Sequence, residues 1–391
     1  MKRYATLSVW ALSVAISTFL VGCGEELKVD PNRPYSLSIS KGETLYLSGQ
    51  GSLDPETGEH PQGVKAATHQ TMLNLQRELE SKGWSFADAV ATHVWLTDMS
   101  TIGEMTAAYR PFFEDEALPT RTTVAVAALP GGSPVEIAMV AARGEKKYIY
   151  PEGTVPGRAP FSPGILVGDT LYLSGQAGVV PGSSPVTLVE GDFQAHVRQT
   201  LENIGTVLGA AGMDFSQVVS TEVFLTDMQN FGPLNEGYRS FTQQPRPARV
   251  PIGASALPLD SPVEITMIAD RRERQAVLPE GMPPSDNYSR GLRVGNRMYL
   301  AGVYSRKPTP QEQLDDSLDR VKQILGAGGF TLSDIVEARV YLLSLDDYGP
   351  MNEAYISHFA NPRPTRATVA VPLLPGESRI GLAFVAAKDA P

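Results

Sequence analysis

The run Leu45-Tyr46-Leu47-Ser48-Gly49-Gln50 recurs as Leu171-Tyr172-Leu173-Ser174-Gly175-Gln176, and more loosely as Met298-Tyr299-Leu300-Ala301-Gly302-Val303. Ten residues before each run stands an aromatic followed by serine: Tyr35-Ser36, Phe161-Ser162 and Tyr288-Ser289. Downstream, Pro119-Thr120-Arg121 with Val135-Glu136-Ile137 answers to Pro247-Ala248-Arg249 with Val263-Glu264-Ile265, and to Pro364-Thr365-Arg366 with Ile380-Gly381-Leu382. From each arginine to the aligned Glu or Gly is 15 residues in all three copies, and between copies the arginine advances by 128 and then 117 residues. Such agreement over whole units marks a tandem triplicate.

The periodicity within a unit predicts its elements. An alternating strand leads in from the aromatic, the Leu-Tyr-Leu run is a second strand, and a turn-rich segment such as Asp54-Pro55-Glu56-Thr57-Gly58 follows. Apolar residues then recur at spacings of three and four, as in Phe193, Val197, Leu201, Ile204 and Leu208, or Leu314, Leu318, Val321 and Leu325. That is a helix with one buried face. A strand through Val94–Leu96, Val223–Leu225 or Val340–Leu342, a shorter helix bearing Tyr109 or Tyr238, and two final strands complete a ββαβαββ unit. Its helices need one face of a sheet to bury against. Stretches near 146–160 and 271–287 read as connectors between units.

The 391 residues carry 33 Lys+Arg against 43 Asp+Glu, a formal charge of −10 that becomes −12 without Lys2 and Arg3. So acidic a chain is a poor holder of a phosphate backbone, and no nucleic-acid partner is expected. Apolar residues at 42% exclude a wholly disordered chain, and 36 Gly with 31 Pro suit many turns and short strands. One cysteine allows neither an intramolecular disulfide nor a thiolate zinc cluster. The five histidines (His60, His69, His93, His196 and His358) form no His-x-x-x-His pair and do not recur at aligned positions. They are expected at the surface or in local packing, and no metal is expected.

The cysteine is informative through its place. Lys2 and Arg3 precede an apolar run, Leu7 to Val21, of 15 residues, short of the ~20 that span a bilayer. It ends in Leu20-Val21-Gly22-Cys23, which resembles the bacterial lipoprotein signal. On that reading residues 1–22 are removed, Cys23 carries lipid, and residues 23–33 are a tether. The protein then lies in the cell envelope, held to the membrane through the lipid on Cys23. In a Gram-negative cell, where no Asp follows the cysteine, that is the outer membrane facing the periplasm. The plainer reading is a short anchor helix with an incidental cysteine.

Taken together, the motifs resemble the Rid family of reactive-intermediate imine deaminases, also called YjgF-like proteins. The resemblance rests on Ser-Gly-Gln after the Leu-Tyr-Leu strand, Gln70…Asn74 and Gln199…Asn203 on the helix, Pro-x-Arg, and Val-Glu-Ile. It covers nearly all of the chain after the signal, three times over. It implies an α+β fold of three tandem chorismate-mutase-like domains at 34–145, 146–274 and 275–391. Single-domain members form homotrimers with a central β-barrel, outer helices and ligand clefts between subunits. Three units in one chain would build an intramolecular pseudo-trimer, monomeric in solution.

The resemblance also assigns roles. Arg121, Arg249 and Arg366 become carboxylate anchors, a task suited to the planar guanidinium fork. Glu136 and Glu264 become the groups that position and activate water. Ser48 and Ser174 supply polar contacts near the substrate, and Tyr35 and Tyr288 supply an aromatic hydroxyl where copy two has Phe161. The implied reaction turns an enamine or imine acid into a 2-keto acid and ammonia, with no metal or organic cofactor. The third copy departs most: Gly381 replaces Glu, Ala301 replaces Ser, and Asp316…Arg320 stands where the others have Gln…Asn. It is the degenerate domain, and sequence does not say which cleft loses which residue.

Plainer readings accompany these. Arg121 and Arg249 could equally pair structurally with the glutamate of their own copy, Arg366 lacks that glutamate and could hold some other structural role, and the serines before glycine are equally turn residues. Two functions stand side by side: an imine-hydrolysing enzyme, and a non-catalytic module that holds a small carboxylate in the same clefts.

Overall fold

The first unit begins with a hairpin, β1 (Ser38–Lys41) and β2 (Thr44–Gln50), the second strand being the Leu-Tyr-Leu run. The rest is α1 (Val64–Ser81), β3 (Ala89–Leu96), α2 (Ile102–Tyr109), β4 (Thr120–Ala125) and β5 (Val135–Ala142), the ββαβαββ order expected. The computed structural model describes residues 33–114, 117–154, 157, 159–376 and 378–389. The signal and Cys23 lie outside the described residues.

The second unit runs β6 (Lys146–Ile149), β7 (Gly164–Val167), β8 (Thr170–Leu173), α3 (Phe193–Ala210), β9 (Val218–Leu225), α4 (Phe231–Phe241), β10 (Ala248–Gly253) and β11 (Val263–Asp270). The third runs β12 (Arg274–Val277), β13 (Gly291–Val294), β14 (Arg297–Leu300), β15 (Val303–Tyr304), α5 (Pro310–Ala327), β16 (Ile335–Leu342), α6 (Tyr348–His358), β17 (Thr365–Ala370) and β18 (Ile380–Ala387). Each of these units therefore begins with a strand ahead of the expected hairpin, and in the third the second hairpin strand is broken into β14 and β15, both paired with β18. The stretches read as connectors supply β6 and β12, which pair antiparallel with β7 and β13.

Each unit has its own sheet, with orders β1-β2-β5-β3-β4, β10-β9-β11-β8-β7-β6 and β12-β13-β14-β18-β16-β17, β15 pairing separately with β18. In all three the arginine-bearing strand (β4, β10 or β17) lies at one edge and runs parallel to its neighbour. The two long helices of a unit cover one sheet face. Leu75 and Leu79, Leu201 and Leu208, and Leu318 and Leu325 are buried there in three separate cores. The opposite faces share an interior in which Trp95 and Val124 of the first unit pack with Phe224 and Val250 of the second and Tyr341 and Val369 of the third. Strand β5 is buried along its whole length because it has a core on each side.

The expected central barrel is not one closed, hydrogen-bonded cylinder: the described strands form three sheets that dock edge to segment. Pro119 O accepts from Ser162 N–H, and Arg121 O from Gly175 N–H, so the edge strand of unit one lies on unit two. Pro247 O and Arg249 O likewise accept from Ser289 and Gly302 of unit three. The ring closes where Ser36 N–H of unit one donates to Pro364 O of unit three. An edge strand left bare invites foreign pairing, and here each arginine-bearing edge is covered by the neighbouring unit.

Candidate functional site

The docking edges set an arginine of one unit against a glutamate of the next. Arg121 on β4 is reached by the charge of Glu264, not of Glu136, and Glu136 is reached by Arg366. This departs from the plainer reading, in which the pair forms within one copy. Arg366, read as lacking a glutamate, shares a cleft with Glu136. Arg249 is the arginine whose cleft has none, because the aligned position in unit three is Gly381. The reason is register. Within a unit β3 lies between β4 and β5, so Arg121, opposite Thr92, and Glu136, opposite Trp95, flank it on opposite sides.

The third–first cleft holds Arg366, 2% exposed, with Tyr35 of unit one over its guanidinium at 5.1 Å and Tyr355 at 4.9 Å. Its Nη2 donates to Asn352 Oδ1 at 2.6 Å. Glu136 stands opposite, buried, accepting from the Thr368 backbone N–H. Burial pushes its carboxyl up to about 8, against the lowering effects of that hydrogen bond and of Arg366. The first–second cleft repeats the arrangement. Arg121 lies against Phe161 at 5.4 Å and Tyr109 at 5.5 Å, and its Nη1 donates to Thr106 Oγ1 at 3.2 Å. Glu264 accepts from Thr123 N–H and is likewise raised by burial to about 8, with Arg121 acting to lower it. A carboxyl that gains and loses its proton near neutral pH, beside a guanidinium fork, suits proton transfer to a bound acid.

The serines are engaged by main chain. Ser48 Oγ donates to Ser36 O at 2.6 Å and accepts from Arg366 N–H at 2.8 Å. Ser174 Oγ donates to Ser162 O at 2.7 Å and accepts from Arg121 N–H at 2.9 Å. Each buried hydroxyl is thus engaged by main chain, where it joins two units and holds the arginine strand in register. Tyr288 lies 5.8 Å from Arg249 in the second–third cleft.

Three sets of residues have roles that the sequence reading did not give them. Thr106, Asn235 and Asn352 occupy one aligned helix position and accept from the three arginines. The signal available was their recurrence one turn before Tyr109, Tyr238 and Tyr355. The glycine of Ser-Gly-Gln is the second: a Cβ on Gly49 or Gly175 would collide with the carboxylate of Glu136 or Glu264. Lastly, Gln70…Asn74 and Gln199…Asn203 clasp the loop after the Ser-Gly-Gln strand. Asn74 Nδ2 donates to Gly51 O and Leu53 O, and Asn203 Nδ2 to Ala177 O and Val179 O.

Of the two roles expected of the histidines, surface or local packing, His93 takes the second. It occupies the shared interior, its Nε2 at 2.8 Å from Glu222 Oε2, and Glu222 also bonds Arg339 of unit three. Among the described residues no cluster of metal-ligating side chains occurs. No helix of the described residues is long and apolar enough to cross a membrane.

A family profile described as Endoribonuclease L-PSP matches residues 25–143, 154–271 and 280–388. The 2-iminobutanoate/2-iminopropanoate deaminase of Mus musculus is 44% identical over 110 residues, 28% of this chain and 80% of that protein. A RutC family protein of Pyrococcus horikoshii is 36% identical over 124 residues, 32% of this chain and 97% of that one. The solved structure of RidA from an Antarctic Psychrobacter aligns with 32% of this chain and 98% of its own at 35% identity, with a TM-score of 0.30.

Proposed function

The chain belongs to the Endoribonuclease L-PSP (Rid) family, three domains of it in tandem, and from that membership we propose that it hydrolyses small 2-imino acids to 2-keto acids and ammonia. The observation that carries this reading is the buried Arg–Glu set made across two unit boundaries, Arg121 with Glu264 and Arg366 with Glu136, each carboxyl poised near pH 8. Relatives named as 2-iminobutanoate/2-iminopropanoate deaminases support the substrate class.

The chemistry follows from the groups present. The arginine fork holds the substrate carboxylate in a site closed to bulk water, where a charge-assisted pair is strong. The protonated Glu136 or Glu264 donates its proton to the imine nitrogen, which makes the carbon electrophilic. The carboxylate so formed takes a proton from the attacking water, giving a carbinolamine. A second transfer to nitrogen releases ammonia as the hydroxyl proton returns to the carboxylate and the C=O forms. Imine and water are consumed, and keto acid and ammonia appear. The stacked aromatic faces around each arginine support binding of a short, planar acid rather than a phosphodiester chain.

Envelope location belongs to the same reading, supported by Leu20-Val21-Gly22-Cys23 after a short apolar run. Replacing Cys23 with Ser is expected to abolish fatty-acid labelling, and a labelled Cys23→Ser chain would end that part of it. The function itself is tested by supplying the purified chain with 2-iminobutanoate generated in situ by an amino-acid oxidase. Accelerated release of ammonia and 2-oxobutanoate is expected; a rate equal to the spontaneous one refutes the reading.

A further inference from the structure

The second–third cleft differs from the other two at four positions that bear on one spot. Gly381 stands where Glu136 and Glu264 stand, and Pro251 stands where Thr368 and Thr123 offer their backbone N–H to those carboxylates. Proline has no N–H to offer. Tyr304 replaces the small Gly51 and Ala177, and Ala301 replaces the serines. The phenol of Tyr304 fills the carboxylate's place. A Cβ on Gly302 would lie 2.7 Å from its Oη, and one on Gly381 2.7 Å from its Cε1. Its hydroxyl donates to Pro251 O at 2.5 Å. Loss of a glutamate alone would leave a hole and an orphaned backbone donor. Here acceptor and donor are gone together and the hole is filled.

What was kept is the anchor. Arg249 is 2% exposed, and its Nη2 donates to Asn235 Oδ1 at 2.6 Å. Its Nε and Nη1 are buried without a partner. Tyr238, Phe231 and Tyr288 present their ring faces to it at 5.0–5.8 Å. Among the described residues no carboxylate pairs with it; the charges that act on it are phenols and the Arg246 cation. A guanidinium withdrawn from water with open donors and no counter-ion is incomplete until an anion arrives.

Building on the reading above, we propose that this cleft is a second kind of site, which holds a small planar 2-keto acid and does not hydrolyse anything. It shares the carboxylate fork of the other clefts, so it accepts the same length of acid. It lacks a carboxyl to move protons, and the one hydroxyl in that place is bonded to Pro251 O. Its natural occupant is therefore the class of molecule the other two clefts release.

The test is calorimetric titration of 2-oxobutanoate into the full chain carrying Arg121→Met and Arg366→Met, which removes the two other forks. One equivalent bound per chain is expected. Adding Arg249→Met should abolish it. Adding Arg249→Lys instead should weaken it tenfold or more, while keeping the buried charge and so guarding against simple misfolding. No binding to an Arg121→Met/Arg366→Met chain that still unfolds cooperatively overturns the proposal. So does ammonia release from 2-iminobutanoate above the spontaneous rate by that chain if Arg249→Met removes it, since the site would then be hydrolytic. Absence of deaminase activity in the unaltered chain, with the single equivalent still bound, refutes the proposed function and supports this site.

Discussion

At the scale of single residues, the proposed reaction turns on two carboxyls whose protons burial retains to about pH 8. Since each cycle starts from the protonated form, kcat/KM should fall as pH rises through 8. Glu136→Gln or Glu264→Gln alone should leave roughly half the turnover per chain, and the double variant should lose about 10²–10⁴-fold. Steady-state kinetics with an ammonia readout over pH 6–10 checks both. The same shift fixes a stability effect. Between about pH 4.5 and 8 the folded carboxyls keep protons that unfolded ones release, so their contribution falls as pH rises. The fall is at most about 1.4 kcal/mol per pH unit for each carboxyl and stops above 8. The Glu136→Gln/Glu264→Gln chain should therefore gain Tm relative to its parent between pH 5 and 8, as differential scanning calorimetry would register. Sequence named these arginines and glutamates but not their partners. A spacing of 15 residues within a copy measures the path around β3, and nothing in it tells which neighbour faces the cleft.

Elements were the most legible level. Helical spacing placed Leu201, Ile204 and Leu208 on one face, and all three are fully buried in α3. Strands β6 and β12 were not legible, because four residues carrying Lys146 and Lys147, or Arg274 and Gln275, look like solvated connector. They are strands because an adjacent hairpin offers a free edge, which is a property of the sheet rather than of the segment. The Gln…Asn motif was recognised as a marker and turns out to be a fastener between α1 or α3 and the loop over the cleft. In unit three Arg320 does that work, its Nη2 donating to Tyr304 O at 2.7 Å. Asn203→Ala would leave Ala177 O and Val179 O without this donor. We expect a loss of about 1–3 kcal/mol, read from urea unfolding, together with a raised KM at the first–second cleft.

For the whole molecule, the central positions are ones where the three copies differ in charge and complement one another. His93, Glu222 and Arg339 occupy one aligned place on β3, β9 and β16 and meet in the shared interior, with Glu337 also bonded to Arg339 at 2.6 Å. A second layer is alike: Arg297 donates to Thr44 and Thr170, its own counterparts. Three identical units would bring three cations or three anions together at such a place. Non-recurrence of His93, which in the sequence suggested a bystander, is what makes it complementary. Glu222→Gln should cost roughly 3–5 kcal/mol, since it leaves Arg339 underpaired in the interior, and guanidinium denaturation would measure it. With its arginine-bearing edges covered internally, the chain should scatter light as a monomer; a stable trimer of chains would contradict that. The ring of docked edges also orders assembly in time. The first–second cleft needs nothing beyond Glu264, whereas the third–first cleft waits for Arg366 to meet Tyr35 and Glu136, more than two hundred residues upstream. During synthesis the residues of the first–second cleft are therefore all in place before the third unit is made, whereas the third–first cleft can close only after Arg366 has been added.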